Sequence, residues 1–266
     1  MKQKIITLVC NKGGVGRSTT TQNVSYKLAE MGYKVLVVDL DSQANTSITL
    51  SQDYETQVIK AKKSITDMVE TENGYFSDFI TQTRHENLSL LASSWKLDMT
   101  ENSIRNDASP NTILKDRFDT NSKTKYDFVI FDTPPRKTDK FTHNALVMSD
   151  YYWYIVSAED RWSLDAKQPT DKVIEQITSS YNVKIKGLKV LLTKFRKANK
   201  LSLLVRDECN RLFNQGVFEN TIRETTQIRK SSAMYKTIFE YDRRTDVAKD
   251  YKGLTEELID EIKKDI

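Results

Sequence analysis

The decapeptide "CNKGGVGRST", residues 10–19, decides how the rest of the chain is read. It follows "KIITLVC" (4–10), a short apolar, β-branched run that predicts a buried strand. From Ser18 to Met31 the apolar residues Val24, Leu28 and Met31 fall at helical spacing, and Gly32 stands where a helix C-terminus wants glycine. "KVLVVDLD" (34–41) predicts the next buried strand. Strand, glycine-rich turn, helix and strand together make the βαβ unit that a phosphate-binding loop requires. Three of the eight glycines in the chain lie at 13, 14 and 16, where they let backbone N–H groups turn tightly against phosphate oxygens. The predicted nucleotide-binding set is Lys12, Gly13, Gly14, Val15, Gly16, Arg17, Ser18 and Thr19. Ser18 is expected to place its hydroxyl on Mg²⁺, and Thr19 to reach the α-phosphate. In the usual G-x-x-x-x-G-K-[ST] pattern a lysine reaches the β- and γ-phosphates, and Arg17 stands in its place.

Further strands are read at "NLSLLAS" (87–93), "YDFVIFD" (126–132), "YYWYIVS" (151–157) and "LKVLLTK" (188–194), with later ones at "GVFENTI" (216–222) and "TIFEY" (237–241). Helices are read at "SITDMVE", "NTILKDRF", over 164–181, and over 246–266, where Leu254, Leu258 and Ile262 recur at spacing four. The alternation predicts an α/β fold, a mostly parallel sheet with helices on both faces, in a single domain over residues 1–266. Two strand ends carry carboxylates where ligands of such sheets bind: Asp39 and Asp41 in "VVDLD", and Asp132 in "VIFDTPP". The predicted metal set is Ser18, Asp41 and Asp132, one carboxylate holding Mg²⁺ through its water shell and another positioning water.

The net charge of +4 is unevenly spread: residues 184–252 carry 17 Lys and Arg against 8 Asp and Glu. That basic third points to a polyanion partner. Cys10 and Cys209 form no metal-type pair, and no secretory signal or long apolar run is present, which predicts a reducing cytoplasm. His85 and His143 are read as surface or structural residues, and the aromatic run Tyr151, Tyr152, Trp153 and Tyr154 as strand core and edge rather than a base-stacking platform.

Taken together, "KGGVGRSTT", "VLVVDLDSQANTS", "YDFVIFDTPP" and "RTDVAKDYKGLTEEL" resemble, in order and spacing, the deviant-Walker ParA/MinD family of P-loop NTPases, and within it the ParA-type DNA-partition ATPases. The resemblance covers nearly the whole chain and is weakest across 50–125. It implies an ATP- and Mg²⁺-dependent ATPase whose two ATP-bound protomers pack face to face. Lys12 would reach the partner's phosphates, Arg17 would hold the ordinary loop-lysine position, Asp41 would orient the hydrolytic water, and Asp132 would be the Walker B carboxylate; Lys12, Arg17 and Asp41 are thus the implied catalytic residues. The resemblance also implies a homodimer that binds DNA without sequence preference and is released when a centromere-binding adaptor stimulates hydrolysis. The implied DNA contacts are Arg196, Lys197, Lys200, Arg229 and Lys230, and the implied setting is the cytoplasm, on the nucleoid. The chain starts at the first strand, so the helix-turn-helix extension of larger partition ATPases is expected to be missing. "DSQ" stands for the family's "DPQ", and Ile222-Arg223-Glu224 for its "IPR".

Three other readings compete. A MinD-like membrane ATPase would need a basic amphipathic C-terminal helix, whereas "LTEELIDEIKKDI" is acidic overall, so no membrane partner is expected. An iron–sulfur relative would need paired cluster cysteines, which Cys10, read as inside the first strand, and Cys209 do not supply. A nucleotide-gated DNA switch without turnover would follow if Arg17, wider than lysine and fixed in its donor directions, abolished hydrolysis.

Overall fold

The computed structural model describes residues 2–10, 12–104, 109–118, 125–135, 140–159 and 167–265. Its centre is a sheet of β1 (Lys4–Val9), β2 (Val35–Asp39), β3 (Thr81–Gln82), β4 (Leu88–Leu91), β5 (Phe128–Asp132), β6 (Tyr151–Ser157), β7 (Lys186–Gly187) and β8 (Leu191–Thr193). The order is β3-β4-β2-β5-β1-β6-β7, with β8 also paired to β6. Every pairing between these strands is parallel except β3 with β4.

The two-residue period of a strand explains why helices cover both faces. Along β2, Val35 and Val37 join the core beneath the helices Arg17–Glu30 and Asp246–Lys263, while Leu36 and Val38 join the core on the opposite face. β5 divides in the same way, with Phe128 and Ile130 on one side and Val129 and Phe131 on the other. Beyond β1 the second face continues through Tyr154, Val156 and Leu192, packed against Ile174, Ile177, Val205 and Cys209 from the helices Lys167–Tyr181 and Lys200–Leu212. Tyr151, Trp153 and Tyr154 are buried in the core as read. His85 meets Tyr26 and His143 meets Tyr181, each edge to face, as structural histidines do.

Two expected strands are corrected. "TIFEY" is a helical turn, Ile238–Tyr241: the Thr237 hydroxyl accepts from the Glu240 amide (3.3 Å), and the Glu240 carboxylate accepts from the Thr237 amide (2.9 Å). This reciprocal cap outweighs the strand propensity of an aromatic, β-branched run. "GVFENTI" makes no ladder; Val217 bridges Val190, and just past the run Arg223 bridges Phe195. Residues 164–166, the front of the helix expected over 164–181, lie outside the described residues, and the described helix is Lys167–Tyr181. Cys10 lies just past the end of β1 instead of within it.

Leu258 is fully buried on the C-terminal helix and meets Ile6, Leu8, Val24 and Trp153 around a small apolar gap. Its truncation removes contacts that tie this helix to the phosphate-loop helix and sheet. Leu258→Ala is expected to cost about 2–5 kcal/mol, read as a fall in the urea midpoint.

Candidate functional site

The parallel order brings the C-terminal ends of β1, β2 and β5 side by side, with Leu8 and Asp39 each in register with Asp132. The glycine loop leaves β1 at that edge. Gly14 and Gly16 have φ of 77° and 87°, a left-handed conformation that glycine adopts without penalty. The helix Arg17–Glu30 begins there with no acidic residue in its first turn. Its N-terminus, equivalent to about half a positive charge, therefore stays available for an anion. Thr193 on β8 braces the loop, its hydroxyl donating to the Val15 carbonyl (2.6 Å) and sharing the Val156 carbonyl (3.3 Å).

A cavity of about 450 Å³ opens at this edge and brings together Lys12, Gly13, Gly14, Val15, Gly16, Arg17, Ser18, Thr19 and Asp41, while Asp132 lies fully buried behind it. A second cavity of similar size shares Gly14, Gly16 and Thr19 with it and runs on past Thr193, Ile222, Thr225 and Ile228. Arg223, which also lines the second cavity, is tied to the C-terminal helix, donating from Nε and Nη2 to both oxygens of Asp250 (2.7 and 2.9 Å) and from Nη1 to Asp246 (3.1 Å).

Arg17 is only 6 % exposed. Its Nε donates to Asp132 (2.7 Å), its Nη2 to Asp41 (2.9 Å), and its Nη1 to the Cys10 sulfur (3.3 Å). Burial works against its charge, but the Asp132 and Asp41 carboxylates outweigh burial and hold the guanidinium protonated. The planar fork spans two carboxylates at once, which a single ammonium could not do with the same separation of donors. The remaining oxygen of Asp132 accepts from the Thr46 hydroxyl (2.6 Å). Asp39, fully buried, accepts from the Ser47 amide and hydroxyl (both 2.8 Å) and from the Asp41 amide (3.1 Å). Burial first, and then the neighbouring Asp132 charge, push the Asp39 carboxyl well above the usual carboxylate range. Burial likewise raises the Cys10 thiol, so it sits beside Arg17 as a neutral acceptor. Thr46 and Ser47 were not singled out in the sequence, although they lie inside the quoted "DSQANTS".

Asp41, Asp132 and Ser18 suit Mg²⁺, an ion that takes one or two carboxylates together with substrate phosphates. Asp41 and Asp132 already converge on one cation, the guanidinium, and Ser18 lines the same cavity as Asp41 and Arg17. Among the described residues there is no group of three or more His, Cys, Asp and Glu that would form an all-protein metal cage.

The basic candidates gather from two distant segments. Phe195 donates its amide to the Ile222 carbonyl (2.9 Å), laying 195–200 beside 222–230. Arg196 pairs with Glu224 through Nε (2.7 Å), and Arg229 lies 4.0 Å from the same carboxylate. Lys197, Lys200 and Lys230 are exposed and make no ion pair among the described residues. No described helix is long and apolar enough to cross a membrane.

A family profile described as "AAA domain" matches residues 3–187. The chain belongs to that family and is a ParA-type P-loop ATPase homologue. It is 28 % identical over 258 residues to the sporulation initiation inhibitor protein Soj of Bacillus subtilis, covering 96 % of this chain and 98 % of Soj. It is also 28 % identical over 186 residues to the septum site-determining protein MinD of Helicobacter pylori, covering 70 % and 63 %. Among solved structures it superposes on a putative plasmid partition protein of Borrelia burgdorferi bound to AMPPNP, with a TM-score of 0.77, 25 % identity, and 97 % and 99 % coverage. The AMPPNP and the partition role belong to that protein. Members of the ParA/MinD group share the fold seen here, a mostly parallel sheet flanked by helices.

The Arg17 clasp gives a stability prediction. Arg17→Ala leaves Asp41 and Asp132 facing each other without a cation, and breaking a buried pair in this way costs about 3–5 kcal/mol. The loss is expected in denaturant titrations at pH 8.

Proposed function

We propose that the protein is an ATP-dependent DNA-partition ATPase in one domain over residues 1–266, working as a nucleotide-gated homodimer that holds DNA without sequence preference and is released by a centromere-binding adaptor. The observation that carries this reading is the junction of the two cavities, where a phosphate cradle with Asp41 on its wall runs directly into a pocket whose rim bears the basic segments. ATP would lie with its phosphates against the amides of residues 13–19 and its nucleoside toward Thr193, Ile222 and Ile228.

Each residue then has a physical task. The loop amides and the helix N-terminus bind phosphate oxygens without reorganising, because their directions are set before the ligand arrives. Arg17 would have to exchange Asp41 and Asp132 for the β- and γ-phosphates. That exchange trades one pair of anions for another and keeps the guanidinium charged throughout. Mg²⁺, held by Ser18 and Asp132 with Asp41 nearby, would supply charge neutralisation on the phosphate oxygens. Asp41, freed of Arg17, would accept a hydrogen bond from the attacking water and orient it. Lys12, on the exposed lip of the loop, would extend to the partner protomer's phosphates.

Turnover is expected to be slow, since Arg17 is retained by two carboxylates and is wider than the lysine that such loops are shaped for. Arg17→Lys should raise phosphate release severalfold; an unchanged rate would refute this assignment. A second reading, a switch without turnover, is favoured by one observation, the hold of both carboxylates on Arg17. Phosphate release with DNA and adaptor present separates the two.

For DNA, the unpaired Lys197, Lys200 and Lys230 would make the first phosphate contacts, and Arg196 and Arg229 would join on leaving Glu224. Binding is expected with ATP and not with ADP, falling steeply with salt. Lys197→Ala combined with Lys200→Ala should weaken binding on all sequences alike and reduce the slope of log K against log salt by about 2. Nucleotide-independent binding would count against the switch.

A further inference from the structure

The helix Thr226–Ala233 ends with Met234 as its cap, and the next residue, Tyr235, has φ of 51°. This is the position just past a helix where glycine, sometimes asparagine, is the usual occupant, because a Cβ there is strained. Here it carries a tyrosine, 59 % exposed, which therefore gains little from burial to offset that strain. Yet Tyr235, with Ser232, lines the phosphate cavity together with Lys12, Gly13 and Asn45, although it is more than 200 residues away from the loop in sequence.

The turn is held firmly in that place. The Arg84 guanidinium donates to the Tyr235 carbonyl (3.2 Å) and to the carbonyls of Thr49 and Ser51, and pairs with Glu240 (2.7 Å). Burial would raise the Glu240 carboxyl, but the hydrogen bonds from Arg84 and Thr237 outweigh it and bring the group below its ordinary range. One arginine thus fixes the Tyr235 turn to the short helix Asn45–Leu50, the helix whose Thr46 and Ser47 hold Asp132 and Asp39. A strained, exposed aromatic, anchored by its backbone at the rim of the phosphate cavity, calls for a function that a glycine could not perform.

We propose that Tyr235 is a positioning residue of the nucleotide site: its ring closes the open side of the phosphate cavity over the bound nucleotide, within its own protomer, and slows the nucleotide's departure. This rests on the nucleotide reading given above. Closure by a ring also keeps water from the phosphates except along the path that Asp41 commands.

The experiment is stopped-flow dissociation of a fluorescent ATP analogue with Mg²⁺ from the full chain, for wild type, Tyr235→Gly, Tyr235→Asn and Tyr235→Phe. Glycine and asparagine accept the left-handed backbone, so both variants should melt no lower than wild type, which separates loss of closure from loss of fold. Their dissociation rates are expected to rise about tenfold, with Tyr235→Phe close to wild type and all rates independent of protein concentration. Wild-type rates in the glycine and asparagine variants would overturn the inference while leaving the nucleotide reading intact. So would a phenylalanine variant as fast as glycine, or an effect seen only at concentrations where protomers associate. If wild type binds no analogue, the nucleotide reading itself fails, and the closure with it.

Discussion

A single guanidinium organises the functional end of this molecule. Arg17 lies at the start of the first helix, yet it is bonded to the ends of two other elements, Asp41 beyond β2 and Asp132 on β5. Three carboxylates, counting Asp39, crowd into a few ångströms at one edge of the sheet, and such a cluster is tolerable only with a cation inside it and hydroxyls around it. Thr46 and Ser47 supply the hydroxyls. The helix Asn45–Leu50 is therefore a polar lining for buried charge, and its left-handed entry at Ala44 (φ 52°) is part of that arrangement.

The same logic of borrowed partners governs the basic surface. Glu224 holds Arg196 and lies near Arg229, while Glu159 holds Lys194 (2.9 Å). Exposed pairs of this kind contribute about 0–1 kcal/mol each to stability, so a polyanion can displace them at little cost. They keep like charges from repelling one another across two adjacent segments.

How much of this was legible in the sequence depends on the range of the physical cause. Gly14 and Gly16 were legible because their role is local, set by backbone angles that few other residues tolerate. The strands were legible where apolar runs are long, as at β2, β5 and β6, and the strand-end aspartates came with them. The helical turn at 237–241 was readable in principle from Thr237 and Glu240 three apart, but the aromatic run between them drew the strand reading. The Arg17 clasp was not legible, since its partners lie 24 and 115 residues away and their approach follows from the strand order. Nor was the quenching of Arg196 by Glu224, because a count of charges does not register which of them touch. Tyr235 gave no signal at all, since nothing in the letters marks a left-handed tyrosine.

The bond from Thr193 to the Val15 carbonyl has a further consequence. Thr193 ends β8, and Lys194, itself left-handed at φ 51°, begins the segment that carries Arg196, Lys197 and Lys200. The cradle for phosphate and the root of the basic segment are thus separated by one hydroxyl. Were a ligand to shift the Val15 carbonyl, the displacement would bear directly on the end of β8, as on a short lever, without a relay through the interior.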